Sequence, residues 1–210
     1  MKKVGAILLA AGRSRRMGAF KPLLSFGKRS VVESCVEYLS QGGVDWIVIV
    51  VGHRSEDIRR QVHGDRVTFA INPDPSSEMG ASIAVGVSHL PEHVGAVVIS
   101  LVDYPAVPPS VVTTLISEWD SGSLLVKPTW KGRGGHPVLV DLSLRMELRS
   151  LDPEGGLKEL FNRHQKDVRR VEVASPYIAR DIDTWDDYQA LYVEVFGEPA
   201  PEPDQRNTNE

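Results

Sequence analysis

Residues 4–24 read VGAILLAAGRSRRMGAFKPLL. The almost unbroken apolar run from Val4 to Ala11 stops at Gly12, and such a run suits a strand buried on both faces of a parallel sheet. Directly behind it come Arg13, Arg15, Arg16 and Lys21, broken by Gly18. Four cations after a buried strand allow two readings: a solvated basic loop, or a loop that grips a polyanion. Small residues let backbone N–H groups approach phosphate oxygens, and arginines bind them in bidentate fashion. Neither standard fingerprint fits, because the Gly-Lys-Ser/Thr ending of a Walker loop is missing and no G-x-G-x-x-G occurs.

Outward from this stretch, apolar runs alternate with amphipathic segments. Strands are predicted over 45–51, 67–71, 94–101 and 124–127, with helices over 31–39, 55–62, 81–90 and 109–119. The first helix opens on Ser30-Val-Val-Glu33, a capping-box pattern, and Pro108-Pro109 suits the start of the fourth. Further strands are predicted over 137–140 and 168–173, and helices over 142–149, 156–164 and 185–196. This order implies an α/β protein of three layers, with a mostly parallel twisted sheet and right-handed crossovers. Ligands of such sheets collect beyond the carboxyl ends of the strands, which places the loop after Ala10 and the turn after Leu101 on one rim. Residues 1–196 are expected to form one domain. The polar, proline-rich tail 197–210 is expected to be disordered.

The chain has 210 residues, 41% hydrophobic and 25% charged, which is ordinary for a globular domain. Its net charge of −4 argues against a nucleic-acid partner. No run approaches the ~18 apolar residues of a membrane span. The two initial lysines and the apolar stretch resemble a signal peptide, but the Arg/Gly segment reads as part of the domain, so a cytoplasmic location is expected. A lone cysteine, Cys35, excludes an internal disulfide, and it shares a helical face with Val32, Val36 and Leu39, as a core residue would.

Three further stretches carry chemistry. Asp103, in Ser100-Leu-Val-Asp-Tyr-Pro105, ends the most apolar strand, where it either holds Mg²⁺ or hydrogen-bonds its own turn. Asp181 and Asp183 share a face if their segment is extended, yet Asp183 or Thr184 with Asp187 would equally cap the next helix. Gly132-Arg-Gly-Gly-His136 is either a flexible turn or a loop whose backbone wraps a ligand. His136 has no partner at zinc-ligand spacing.

Taken together, these residues resemble the molybdenum-cofactor nucleotidyltransferases, a MobA-like NTP transferase family. Leu9-Ala-Ala-Gly12 through Lys21-Pro-Leu-Leu24 is similar to its opening signature. Asp103-Tyr-Pro105, Gly135-His-Pro137 and Asp181-Ile-Asp-Thr184 are similar to its later motifs, in the same order. The likeness runs from about Val4 to about Leu191. Within that family, Leu-Ala-Ala-Gly and the segment Ser77–Ser82 are similar to the branch that uses CTP. Glu78 stands where that branch has glycine, and Lys158 stands where it has arginine, whose bidentate grip lysine does not reproduce.

The resemblance implies a nucleotidyltransferase fold and transfer of CMP from CTP to the phosphate of a molybdopterin-type cofactor, with release of pyrophosphate. Leu9, Ala10, Ala11, Gly12 and Ser82 would receive the nucleotide. Arg13 and Lys21 would neutralise its triphosphate, and Asp103 with Asp183 would hold Mg²⁺, or Mn²⁺, since oxygen ligands suit both. Gly135, His136 and Lys158 would line the acceptor side. Arg15, Arg16 and Asp181 stay open between direct contact and support. The implied partners are the NTP, the phosphorylated acceptor and a recipient molybdoenzyme or its chaperone. A sugar phosphate or another phosphorylated metabolite is the alternative acceptor. A non-catalytic carrier of nucleotide or cofactor would be expected to lack Lys21 or a metal carboxylate, and all are present.

Overall fold

A computed structural model describes residues 3–12, 14, 16–74, 78–152 and 155–202. Arg13, Arg15, Ser77, Glu154 and residues 203–210 of the predicted tail lie outside the described residues.

The opening apolar run is strand β1 (Lys3–Ala10). Its side chains alternate between two cores: Ala6, Leu8 and Ala10 face one, Ile7 and Leu9 the other. A 3-10 turn (Lys21–Leu23) leads into a hairpin of β2 (Ser25–Phe26) and β3 (Arg29–Ser30). Strands of two residues leave no periodicity to read, and this hairpin was not expected. Then follow α1 (Val31–Gln41), β4 (Trp46–Val51), α2 (Ser55–Gln61), β5 (Val67–Ile71), α3 (Met79–His89), β6 (Val94–Leu101) and α4 (Pro109–Asp120). The second half has β7 (Leu125–Trp130), β8 (Arg133–Gly134), β9 (Val138–Asp141), α5 (Arg145–Arg149), α6 (Gly156–Arg163), β10 (Val168–Glu172) and α7 (Trp185–Phe196). The helix predicted over 142–149 begins as a 3-10 turn, because the Asp141 side chain accepts the Ser143 N–H at 2.8 Å and caps a tighter first turn.

Strands run in the order β10-β7-β9-β6-β1-β4-β5, with β8 paired to β7. Neighbours are parallel except where β9 lies antiparallel between β6 and β7 and where β8 lies antiparallel to β7. Helices α1, α2, α4 and α7 bury their apolar faces in one core, and α3, α5 and α6 in the other. The result is the three-layer, mostly parallel α/β architecture that the alternating pattern predicts. Among the described residues no helix is long and apolar enough to cross a membrane.

Helix α1 starts as its sequence dictates. Ser30 Oγ accepts the Glu33 N–H at 3.4 Å while the Glu33 carboxylate accepts the Ser30 N–H at 2.8 Å. Ser30→Ala should therefore cost about 1 kcal/mol, lowering Tm by roughly 2–4 °C in a thermal melt of a chain this size. No change in Tm would remove the cap from the stability account. On the inner face of α1, Cys35 is fully buried, and burial pushes its thiol well above the usual range, which leaves it a packing residue.

The topology fixes where a ligand can sit. β1 has β4 on one side and β6 on the other, so the chain reverses direction across the sheet there, and a crevice opens beyond the strand ends. Leu9 pairs in register with Leu101, which sets the loop after β1 beside the turn after β6.

Candidate active site

A cleft of about 260 Å³ occupies that crevice. Leu9, Ala11, Gly12 and Ser14 form its β1 side, Leu101, Val102 and Asp103 its β6 side, and Asn72, Asp74, Met79 and Ser82 its outer wall. Lys21 and Pro22 close the base. The Ala10 side chain is buried in the core instead. Ser82 is buried on α3, and its hydroxyl accepts a 2.8 Å bond from the amide of Asn72, which itself follows β5. Asn72 was missed in the sequence, although the strand-end rule that located Asp103 applies equally to β5.

Lys21 is buried, with its backbone N–H donating to Ser14 Oγ at 3.2 Å. Its ammonium reaches Asp183 at 3.2 Å and Asp103 at 3.9 Å. The exposed Arg16 reaches the other oxygen of Asp183 at 3.1 Å. One backbone bond and one buried side chain bring the distant carboxylates here: Ile182 donates its N–H to the Asp103 carbonyl at 3.0 Å, and its side chain is fully buried. With Ile182 pinned inward, Asp181 and Asp183 flank it and turn toward Asp103. Thr184 then opens α7 in a capping box with Asp187, so the cap and the carboxylate pair are made by adjacent residues.

Asp103, Asp181 and Asp183 each offer a carboxylate oxygen, and the three atoms lie within 4.8 Å of one another. Burial raises the Asp103 pKa from 3.8 to about 6, against the pull of Lys21 and with help from Asp181 and Asp183. Asp103 Oδ1 is buried without a hydrogen-bond partner. An orphaned carboxylate oxygen inside a hard-oxygen cluster fits a divalent cation such as Mg²⁺, which takes one or two carboxylates and leaves its other positions to water or phosphate.

Next to Asp103, Tyr104 turns into a second cleft of about 400 Å³, which Gly135, His136 and Lys158 also line. The three residues expected on the acceptor side thus meet in one place. His136 donates its N–H to the Ile178 carbonyl at 2.8 Å, and its ring lies 5.5 Å from that of Tyr104. Burial and the neighbouring Lys127 ammonium push its pKa down to about 4, against a weaker pull from the Ile99 backbone. His136 is therefore neutral near pH 7, and its buried Nδ1 has no partner. A Cβ added at Gly135 would collide with the Ile178 carbonyl. Gly135→Ala should displace this loop and cost about 1–3 kcal/mol, read as a lower midpoint in urea. An unchanged midpoint would mean the loop yields freely.

Comparison with known proteins was consistent over nearly the whole chain. It is 28% identical over 192 residues to the nicotine blue oxidoreductase of Paenarthrobacter nicotinovorans, covering 86% of this chain and 92% of that one. It is 26% identical over 190 residues to the molybdenum cofactor cytidylyltransferase of Escherichia coli strain K12, covering 90% and 95%. The crystal structure of Rv0371c from Mycobacterium tuberculosis H37Rv superposes with a TM-score of 0.82 at 25% identity, covering 90% of this chain and 98% of that one. The family model of the MobA-like NTP transferase domain matches residues 6–168. Running from within β1 to the start of β10, that match makes the chain a nucleotidyltransferase of the MobA-like family.

Proposed function

We propose that the protein transfers CMP from CTP to the phosphate of a molybdopterin-type cofactor and releases pyrophosphate, with Mg²⁺ as the resident metal. The observation that carries this reading is the meeting of Lys21 with Asp103, Asp181 and Asp183 at the seam between two clefts. A donor and an acceptor can each fill one cleft and present their reacting phosphates at the seam. The likeness to the Escherichia coli cytidylyltransferase supports the choice of acceptor and base.

In-line attack by an acceptor phosphate oxygen on the nucleotide α-phosphorus needs no protein nucleophile, so positioning and charge stabilisation carry the catalysis. The backbone at Ala11 and Gly12, in a loop that leaves a strand end, receives the nucleotide. Ser82 and its partner Asn72 face the base or ribose. Lys21, desolvated and fixed by its two carboxylates, offsets charge on the triphosphate. Arg13, next to Gly12 in sequence, joins it in this reading. Asp103 and Asp183 would hold the metal, with Asp181 at hand, and a divalent cation there would offset charge on the phosphate oxygens and the departing pyrophosphate. Gly135, His136 and Lys158 border the acceptor, with His136 uncharged and offering a ring nitrogen.

The test is pyrophosphate release with Mg²⁺ and, as acceptor, either molybdopterin-type cofactor or a sugar phosphate, comparing CTP, GTP, ATP and UTP. Release with CTP alone is the expected result. Release with GTP would overturn the base assignment, and release only with a sugar phosphate would overturn the acceptor. The likeness to an oxidoreductase defines a further outcome: consumption of a reduced nicotinamide cofactor with no pyrophosphate would sink the transferase reading for this chain.

A further inference from the structure

The second cleft is more basic than a single phosphate requires. Lys127 on β7, Lys158 on α6 and Arg170 on β10 all line it, and among the described residues no carboxylate does. Lys127 and Arg170 are direct partners in the register of the parallel β7–β10 pair, so their side chains leave the same face of the sheet side by side. Like charges placed directly opposite on neighbouring strands destabilise a sheet. Among the described residues none of the three has an ion pair. The contrast with the adjacent residue is informative: Arg169, on the opposite face of β10, is paired with Glu118 at 2.8 Å. The fold neutralises the cation outside the cleft and leaves those inside it uncompensated.

Position then limits what the cations can meet. β7 lies two strands from β6, and β10 three. At about 4.8 Å per strand, Lys127 and Arg170 stand roughly 10–14 Å to the side of the strand that presents Asp103. A phosphate held at Asp103 is beyond their direct reach. Tyr104, Leu157 and Phe161 supply an apolar and aromatic wall of the same cleft.

We propose that Lys127, Lys158 and Arg170 form a receptor for a second anionic group on the acceptor, so that this protein selects elongated acceptors with a phosphate at one end, a flat or apolar middle and another negative charge at the far end. The proposal rests on the transferase reading for the role of the cleft, but its binding chemistry can be measured without turnover.

Calorimetric titration of the intact protein with Mg²⁺ would compare octane-1,8-diyl bisphosphonate with octylphosphonate. Both carry the same chain, and only the first has a second anionic end. The bisphosphonate is expected to bind at least about tenfold more tightly, a difference of about 1.4 kcal/mol. In the Lys127→Met/Arg170→Met variant, which relieves the like-charge pair and should fold, the preference should vanish while octylphosphonate binds as before. Equal affinities in the unaltered protein, or a preference that survives in the variant, would overturn the receptor. If no nucleotide yields pyrophosphate but the bisphosphonate preference holds, the transferase reading fails and the receptor stands.

Discussion

Asp103→Asn is expected to give a protein that is more stable and nearly inactive. The carboxyl is raised from 3.8 to about 6 chiefly by burial, so its ionised form is the costly one in the folded state. That difference corresponds to roughly 3 kcal/mol of folding free energy lost on ionisation. Between about pH 4 and about 6 the folded chain keeps a proton that the unfolded chain has released, so stability falls as pH rises through this window and levels off above it. An asparagine mimics the neutral acid and should flatten the profile, raising stability by about 1–3 kcal/mol at pH 7.5 without metal. The same change removes a ligand from the proposed cation site and should lower kcat by about 10³-fold, the several kcal/mol that a bound metal supplies. Urea melts across pH, with and without Mg²⁺, check both halves. A variant no more stable than the parent at pH 7.5 would contradict the burial account, and one with full activity would remove Asp103 from the site.

Lys21→Ala is the second large effect. In the proposed site its ammonium is a fixed, desolvated charge aimed at the triphosphate, and losing one such group typically costs 10²–10³ in turnover. A drop in kcat of more than about a hundredfold is expected, with a folded protein by circular dichroism. Stability should still decline, because Asp103 and Asp183 then face each other without the cation that lies 3.9 Å and 3.2 Å from them. Added Mg²⁺ should restore part of the stability and little of the turnover. Activity within tenfold of the parent would sink the assignment.

Much of the fold was legible in the chain because the strands that matter are buried on both sides. The run at Val4–Ala10 is apolar throughout and that at Val94–Leu101 is apolar but for the buried Ser100, so their positions in the structure agree closely with expectation. What escaped was short or depended on partners. β8 is Arg133–Gly134 alone, inside a glycine-rich stretch that reads as a turn, and only its antiparallel pairing to Thr129–Trp130 makes it a strand. The antiparallel sense of β9 is likewise a property of its neighbours and not of Val138–Asp141. At the candidate site, motif order drew attention to Lys21, Asp103, Asp183 and His136. The cation pair Lys127–Arg170 was invisible, since nothing in either local sequence states that two strands more than forty residues apart lie in register.

The position of Asp181 and Asp183 has a consequence for how the protein comes into being. Both lie beyond residue 168, where the family match ends, and Asp183 is 162 positions after the lysine it pairs with. Helix α7 then anchors this segment: Tyr188 donates its hydroxyl to the Ser25 carbonyl at 2.5 Å, and Tyr192 and Phe196 pack edge-to-face against Phe26. During translation at about 5–20 residues per second, Lys21 waits roughly 10–30 s before Asp183 is even polymerised. A nascent chain paused after β10 would have the nucleotide cleft's walls but two of its three carboxylates still to come. Competence to hold a divalent cation is therefore a late event in the life of each molecule, switched on when the last helix docks against the first hairpin.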